Sequence, residues 1–162
     1  MLLRVFHNAR ATGWPVYVAG SRAFDPATAA AIDAPILPDR WPHAGPLRAF
    51  LSACTAIDHA RVFALAADEP RVDRGLLETL ADAWQPGDET IVPTHGGRIE
   101  PLAALYARTA FLRGARASIQ RGNESLHGVI ERTNARFVAV SESYFVNINT
   151  PEDLRRAARI QH

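Results

Sequence analysis

Apolar positions at the start of the chain recur at helical spacing. Leu2, Leu3, Val5, Phe6 and Ala9 predict a helix over 2–12, which Gly13 stops. Val16-Tyr17-Val18-Ala19 is short and unbroken, the pattern of a buried strand. After a turn at Gly20-Ser21-Arg22, Asp25 and Pro26 supply an N-cap and a first-turn proline for an alanine helix reaching about Ile32. Pro35-Ile36-Leu37-Pro38 predicts an edge strand, since its prolines cannot donate to a ladder on both sides. Pro46 opens a helix to about Asp58, and Arg61-Val62-Phe63-Ala64-Leu65-Ala66 is the strongest candidate for a central strand.

Asp73 caps a helix carrying Leu76, Leu77, Leu80 and Trp84. Pro86-Gly87 turns into a strand at 89–93, and His95-Gly96-Gly97 predicts the tip of a two-stranded excursion. A helix is expected over 102–112 and another after the cap Ser125, to about Arg132. A strand follows at 136–140, and a last helix begins at Thr150-Pro151, with Glu152 and Asp153 in its first turn. Strands alternating with helices predict one α/β domain over residues 1–162, a mainly parallel sheet with helices on both faces.

Composition narrows the function. The 18 basic residues are all Arg and are balanced by 17 acidic ones, a net charge of +1, so the chain has no general field for nucleic acid or anionic membranes. No stretch approaches the length of a membrane span. Cys54 is the single cysteine, which excludes an internal disulfide or a cysteine metal cluster and fits a cytoplasmic setting. It lies among Phe50, Leu51, Ala53 and Ile57, where it reads as a small buried hydrophobe rather than a nucleophile.

Four segments carry candidate chemistry. Ligands of open α/β sheets bind beyond the carboxyl ends of strands, which selects Asp68, just past 61–66. Its carboxylate suits a divalent metal bridging nucleotide phosphates, and equally a solvated turn. Asn147 and Asn149 alternate, so an extended backbone puts both on one face, next to a helix entry that favours anions. The same residues serve a plain turn. Gly45-Pro46 is a loop into a helix where a ligand can approach the backbone. Arg98 and Glu100 either flank a pocket or form a surface pair of little energetic worth.

Taken in order, these segments resemble the molybdenum cofactor guanylyltransferase family. Gly45-Pro46-Leu47 is similar to its Gly-Pro-Leu loop, and Ala67-Asp68-Glu69-Pro70 to its metal-binding Cys-Asp-x-Pro segment. Arg98-Ile99-Glu100-Pro101-Leu102-Ala103-Ala104-Leu105-Tyr106 resembles its Arg-x-x-Pro-Leu-x-Ala-Leu-Tyr stretch. Gly122-Asn123-Glu124-Ser125-Leu126 resembles the entry to a late helix, and Asn147-Ile148-Asn149-Thr150-Pro151-Glu152-Asp153-Leu154 the closing signature.

The resemblance implies a Rossmann-like three-layer sandwich of the nucleotide-diphospho-sugar transferase type. It implies Mg²⁺-dependent transfer of GMP from GTP to the phosphate of molybdopterin, in partnership with molybdoenzyme maturation proteins. Asp68 would be the catalytic metal ligand, Gly45 and Pro46 would lie on the nucleotide side, and Asn147 and Asn149 near metal and pterin phosphate. The expected departure is at the amino terminus. The family's first strand, its Gly-rich loop and the loop's Lys have no counterpart after Met1. Two alternatives stay open: a non-catalytic paralogue or accessory binding protein for the cofactor, and a cytidylyltransferase or other nucleotidyltransferase of the same fold.

Overall fold

The structure is a computed structural model that describes residues 1–20, 24–68 and 71–145. The chain opens with α1 (Leu2–Arg10), whose Val5, Phe6 and Ala9 are buried. β1 (Val18–Gly20) pairs in parallel with β2 (Ile36–Pro38), matching Val18 with Ile36 and Gly20 with Pro38. Between them α2 (Pro26–Ala31) starts where the Asp25 carboxylate accepts from the Thr28 N–H at 3.0 Å. α3 (Pro46–Ala56) then crosses to β3 (Arg61–Phe63).

The rest of the chain builds a second, larger sheet. α4 (Arg74–Asp82) is capped by Asp73 through the Leu76 N–H at 3.0 Å. β4 (Thr90–His95) and β5 (Arg98–Ile99) form a hairpin across Gly96 and Gly97, whose φ values of +51° and +77° suit glycine. β6 (Leu105–Ala107) runs antiparallel between β3 and β4, and β7 (Ala135–Ala139) runs parallel to β4 along its other edge. Thus β3, β4 and β7 point one way and β6 is the inverted strand among them. α5 (Arg108–Gln120) and α6 (Leu126–Ile130) complete the description.

The sheet has a core on each face. Val92 and Tyr106 pack with Leu47, Cys54, Phe111 and Val129 under α3, α5 and α6. Their neighbours Ile91 and Leu105 pack on the other face with Leu76, Leu77 and Leu80 of α4. That alternation along β4 and β6 is the period-two geometry of strands, and it makes three layers. The α/β class expected from the sequence is therefore the observed one. Among the described residues no helix is long and apolar enough to cross a membrane.

Two expectations change. The helix expected over 102–112 is a 3₁₀ turn at Pro101–Ala103, then β6, then α5. Leu102, Leu105 and Tyr106 mimic helical spacing, but Ala103 through Tyr106 are all buried, the continuous apolar run of a strand covered on both faces. The segment at 61–66 is not central among the described residues: β3 pairs with β6 on one side, and an open cavity lies on the other.

Candidate functional site

The carboxyl ends of β3, β4 and β7 lie along one edge, where Asp68 follows β3 and the hairpin carrying His95 and Glu100 follows β4. Asp68 follows β3 in a turn and is exposed, with no hydrogen bond or ion pair to another described residue. An exposed carboxylate suits Mg²⁺, which keeps several waters and takes one or two carboxylates beside substrate phosphates. No group of three or more His, Cys, Asp or Glu side chains able to hold a metal occurs among the described residues. Glu69 and Pro70 lie outside the described residues, as do Asn147 and Asn149.

Gly45 caps α3 with φ +87°, a conformation that favours glycine, and the space where a Cβ would sit is open. Pro46 occupies the first helical position, and no acidic side chain stands in the first turn of α3. Pro46 and Ala67 line one cavity of about 820 Å³. Gly45 and Asp68, their chain neighbours, are not among the residues lining it. The loop is tied down by Arg48, whose Nε and Nη2 donate to the Glu124 carboxylate at 2.7 and 2.6 Å. That bidentate pairing holds the Glu124 carboxyl below its usual range. Arg48 also lies over the Trp41 ring, 5.8 Å from its centroid.

A second constellation was not legible from the sequence. His95, at the end of β4, is buried and its Nε2 lies 2.7 Å from Glu100 Oε1. The imidazole stacks on Phe145 at 4.8 Å between centroids and 16° between planes. Its Nδ1 is buried without a hydrogen-bond partner. A carboxylate accepting from Nε2–H sets the tautomer in which Nδ1 carries a lone pair. Glu100 thus pairs with His95 across the hairpin, not with Arg98. The signal in sequence was only a five-residue separation spanning Gly-Gly. The Arg71 guanidinium donates to the Ser143 carbonyl, in the turn after β7, at 3.3 Å.

The Gly122–Leu126 segment proves to be a packing knot. Asn123 Oδ1 accepts from the Ser125 N–H and hydroxyl at 3.1 and 2.7 Å, while Ser125 Oγ caps α6 through the Gly128 N–H at 3.1 Å. A Cβ on Gly128 would fall 2.5 Å from Asn123 Nδ2 and 2.6 Å from Ser118 Oγ, so the fold needs glycine there. Tyr106, by contrast, is core: its hydroxyl donates to the Pro101 carbonyl at 2.8 Å, and burial pushes its acidity down.

A mixed sheet under two helical layers, with loops gathered at the carboxyl ends of its strands, is the architecture of nucleotidyltransferase-type α/β domains. The chain belongs to the family of MobA-like NTP transferase domains, whose pattern matches residues 1–137. It is 25% identical over 136 residues to "Probable molybdenum cofactor guanylyltransferase" of Carboxydothermus hydrogenoformans, covering 80% of this chain and 68% of the relative. Against the molybdenum cofactor guanylyltransferase of Vibrio campbellii the chain spans about half of the relative's length, 49%, at 27% identity. The fold is shared with molybdopterin-guanine dinucleotide biosynthesis protein A of Archaeoglobus fulgidus, at TM-score 0.72 and 24% identity over 98% of this chain and 84% of that one. It is shared also with the 2-C-methyl-D-erythritol 4-phosphate cytidylyltransferase of Thermus thermophilus, at TM-score 0.73 and 17% identity over 98% of this chain and 88% of that one.

Proposed function

We propose that this chain is a nucleotidyl-transfer domain that acts on GTP and molybdopterin. The reaction is attack by a phosphate oxygen of molybdopterin on the α-phosphorus of GTP. A new P–O bond forms, the bond from the α-phosphorus to the bridging oxygen breaks, and pyrophosphate leaves. The observation supporting this reading is that Pro46 and Ala67 line one cavity, with the exposed Asp68 next to Ala67 in the chain.

In this reading Gly45 and Pro46 receive the nucleotide, whose phosphates meet the open N-terminus of α3. Asp68 holds Mg²⁺, which when bound neutralises phosphate charge in the displacement. Asn147 and Asn149 line the pterin-phosphate side. A cytoplasmic location and molybdoenzyme maturation partners belong to the same proposal, and GTP rather than CTP follows the names of the relatives.

A second reading starts from composition: every basic side chain of the sequence is Arg, a fixed charge for phosphate rather than a proton-transferring group. The domain then binds nucleotide or pterin cofactor without turnover.

Calorimetry with GTP, with and without Mg²⁺, tests both. The transferase reading expects Mg²⁺-dependent binding, weakened about tenfold or more in Asp68→Asn with an unchanged unfolding midpoint. Binding that ignores Mg²⁺ would remove Asp68 from its role. Mg²⁺-dependent binding without pyrophosphate release, when molybdopterin is added, would select the second reading.

A further inference from the structure

Among the described residues β7 pairs with β4 alone. The Asn134 carbonyl accepts from the Thr90 N–H at 3.3 Å, and the Val140 N–H donates to the Thr94 carbonyl at 2.9 Å. Ladder groups alternate along a strand, so Arg136 and Val138 face β4 as well, while Ala135, Phe137 and Ala139 turn their N–H and C=O outward. That outward side is the edge of the larger sheet opposite β3, and so lies away from the cavity beside β3.

Side chains follow the same alternation. Val138 and Val140 pack with the core under α4, and the Arg136 guanidinium on that face donates to the Asp88 carboxylate at 2.7 and 3.1 Å. Ala135, Phe137 and Ala139 share the other face. Ala135 packs against the core there, but Phe137 is 54% exposed, a large aromatic ring left in solvent on an edge strand. Proteins blunt such edges with Lys, Pro, a bulge or an inward-pointing charge. Residues 135–139 contain no Lys and no Pro, their single charge is taken up by Asp88, and their register on β4 runs without a bulge.

We propose that this edge is a homodimer interface, at which β7 of a second copy adds antiparallel with Phe137 on the two-fold axis. The outward residues read Ala, Phe, Ala in either direction, the self-complementarity that an isologous interface requires. In that register Phe137 lies opposite the partner's Phe137, and Ala135 opposite the partner's Ala139. Each is a hydrogen-bonded pair, so every outward N–H finds a carbonyl. The rings meet as a cross-strand aromatic pair, and the small alanines on either side leave room for them. A foreign strand would complete the ladder but not use this symmetry. Strands this short bury less than the about 800 Å² per partner of a standard interface, so the dimer forms in the micromolar range. The inference stands on the β7 edge and is independent of the transferase reading.

Sedimentation velocity on the intact chain, from about 2 to 200 µM, reads the mass directly. The expected result is a shift from monomer to dimer across the series. Amide-exchange protection at Ala135, Phe137 and Ala139 should rise about tenfold or more with it, and stay level at Arg136 and Val138, which already bond to β4. Phe137→Lys sets a charge on the two-fold axis and should weaken association about tenfold or more. Ala139→Pro removes an outward N–H that β4 does not use and should do the same. The exchange series on the unmutated chain gives the same reading should either variant fail to fold. A chain shown folded by circular dichroism that stays monomeric throughout overturns the proposal, as does association that both variants leave unchanged. Protection equally high at every dilution also overturns it, and gives the edge to the chain's own residues 146–162. A monomer that protects those amides only when a valine-rich strand peptide is added overturns it in favour of a foreign strand.

Discussion

The larger sheet and the β1–β2 pair are built to different standards. In the larger sheet Ile91, Val92, Tyr106 and Phe111 are fully buried, and both faces carry a core. The smaller unit has one cluster, Phe6, Val18 and Ile32, and its α2 helix buries no residue at all. Asp88, with 6% of its side chain exposed, holds the Arg136 guanidinium at 2.7 Å, whereas the Arg10–Asp33 pair spans 3.5 Å with Asp33 97% exposed. Local stability tracks buried apolar contact, so the small sheet should open at lower free energy than the large one. Among the described residues β1 pairs with β2 alone, and a two-stranded pair is marginal by itself.

The sharpest way to break this comparison is a pair of core truncations. Phe111→Ala should cost about 3–5 kcal/mol of global stability in denaturant unfolding followed by Trp84 fluorescence. Phe6→Ala should leave that transition within about 1 kcal/mol while amide exchange at Val18 and Gly20 accelerates, because its damage stays in the small unit. Equal global losses would mean that the two sheets unfold as one.

The helix caps ask the same question on a smaller scale. Asp73→Ala removes the bond to Leu76 and should lower global stability by about 1 kcal/mol. Asp25→Ala removes the equivalent bond to Thr28, and its effect should appear only as faster exchange in α2.

Acid should act first through the large sheet. A hydrogen bond from Arg136 lowers the Asp88 carboxyl from its usual range, and one from Arg113 lowers Glu89. A folded-state value below the unfolded one gives stability that is present above the ordinary carboxylate range and lost as pH falls through the lowered value. The midpoint should therefore drop on acidification below roughly pH 4, and Asp88→Asn should flatten that drop. An unchanged pH profile in Asp88→Asn would show that the pair does not couple to folding.

The smallest expected signal is the absence of one. Cys54 is fully buried in the large core, and burial pushes its thiol up to about 12. Thiol-alkylating reagent at pH 8 should leave it unmodified until denaturant unfolds the core; prompt labelling would show that this core opens locally.

Much of the fold was written in local chemistry. Asp25, Asp73 and Ser125 cap the helices expected of them, because a short polar side chain can satisfy a helix's first free amides wherever it occurs. Gly96 and Gly97 turn the hairpin for an equally local reason. β6 was missed because its Leu-x-x-Leu-Tyr spacing fits a helix, and only the placement of β3 and β4 on either side makes it a strand. Of the candidate site, Gly45, Pro46 and Asp68 were legible as loop residues next to regular elements. The His95–Glu100–Phe145 stack was not, since Phe145 comes from 50 residues away, across the β4–β7 pairing.

The sequence by itself determined the α/β class, the helix entries, most of the strands and the inert cysteine, because period, capping and burial are read over a few neighbouring residues. The tertiary structure decided which strand is inverted and which carboxylate meets which base. Those outcomes depend on long-range pairing, whose partners no local pattern names.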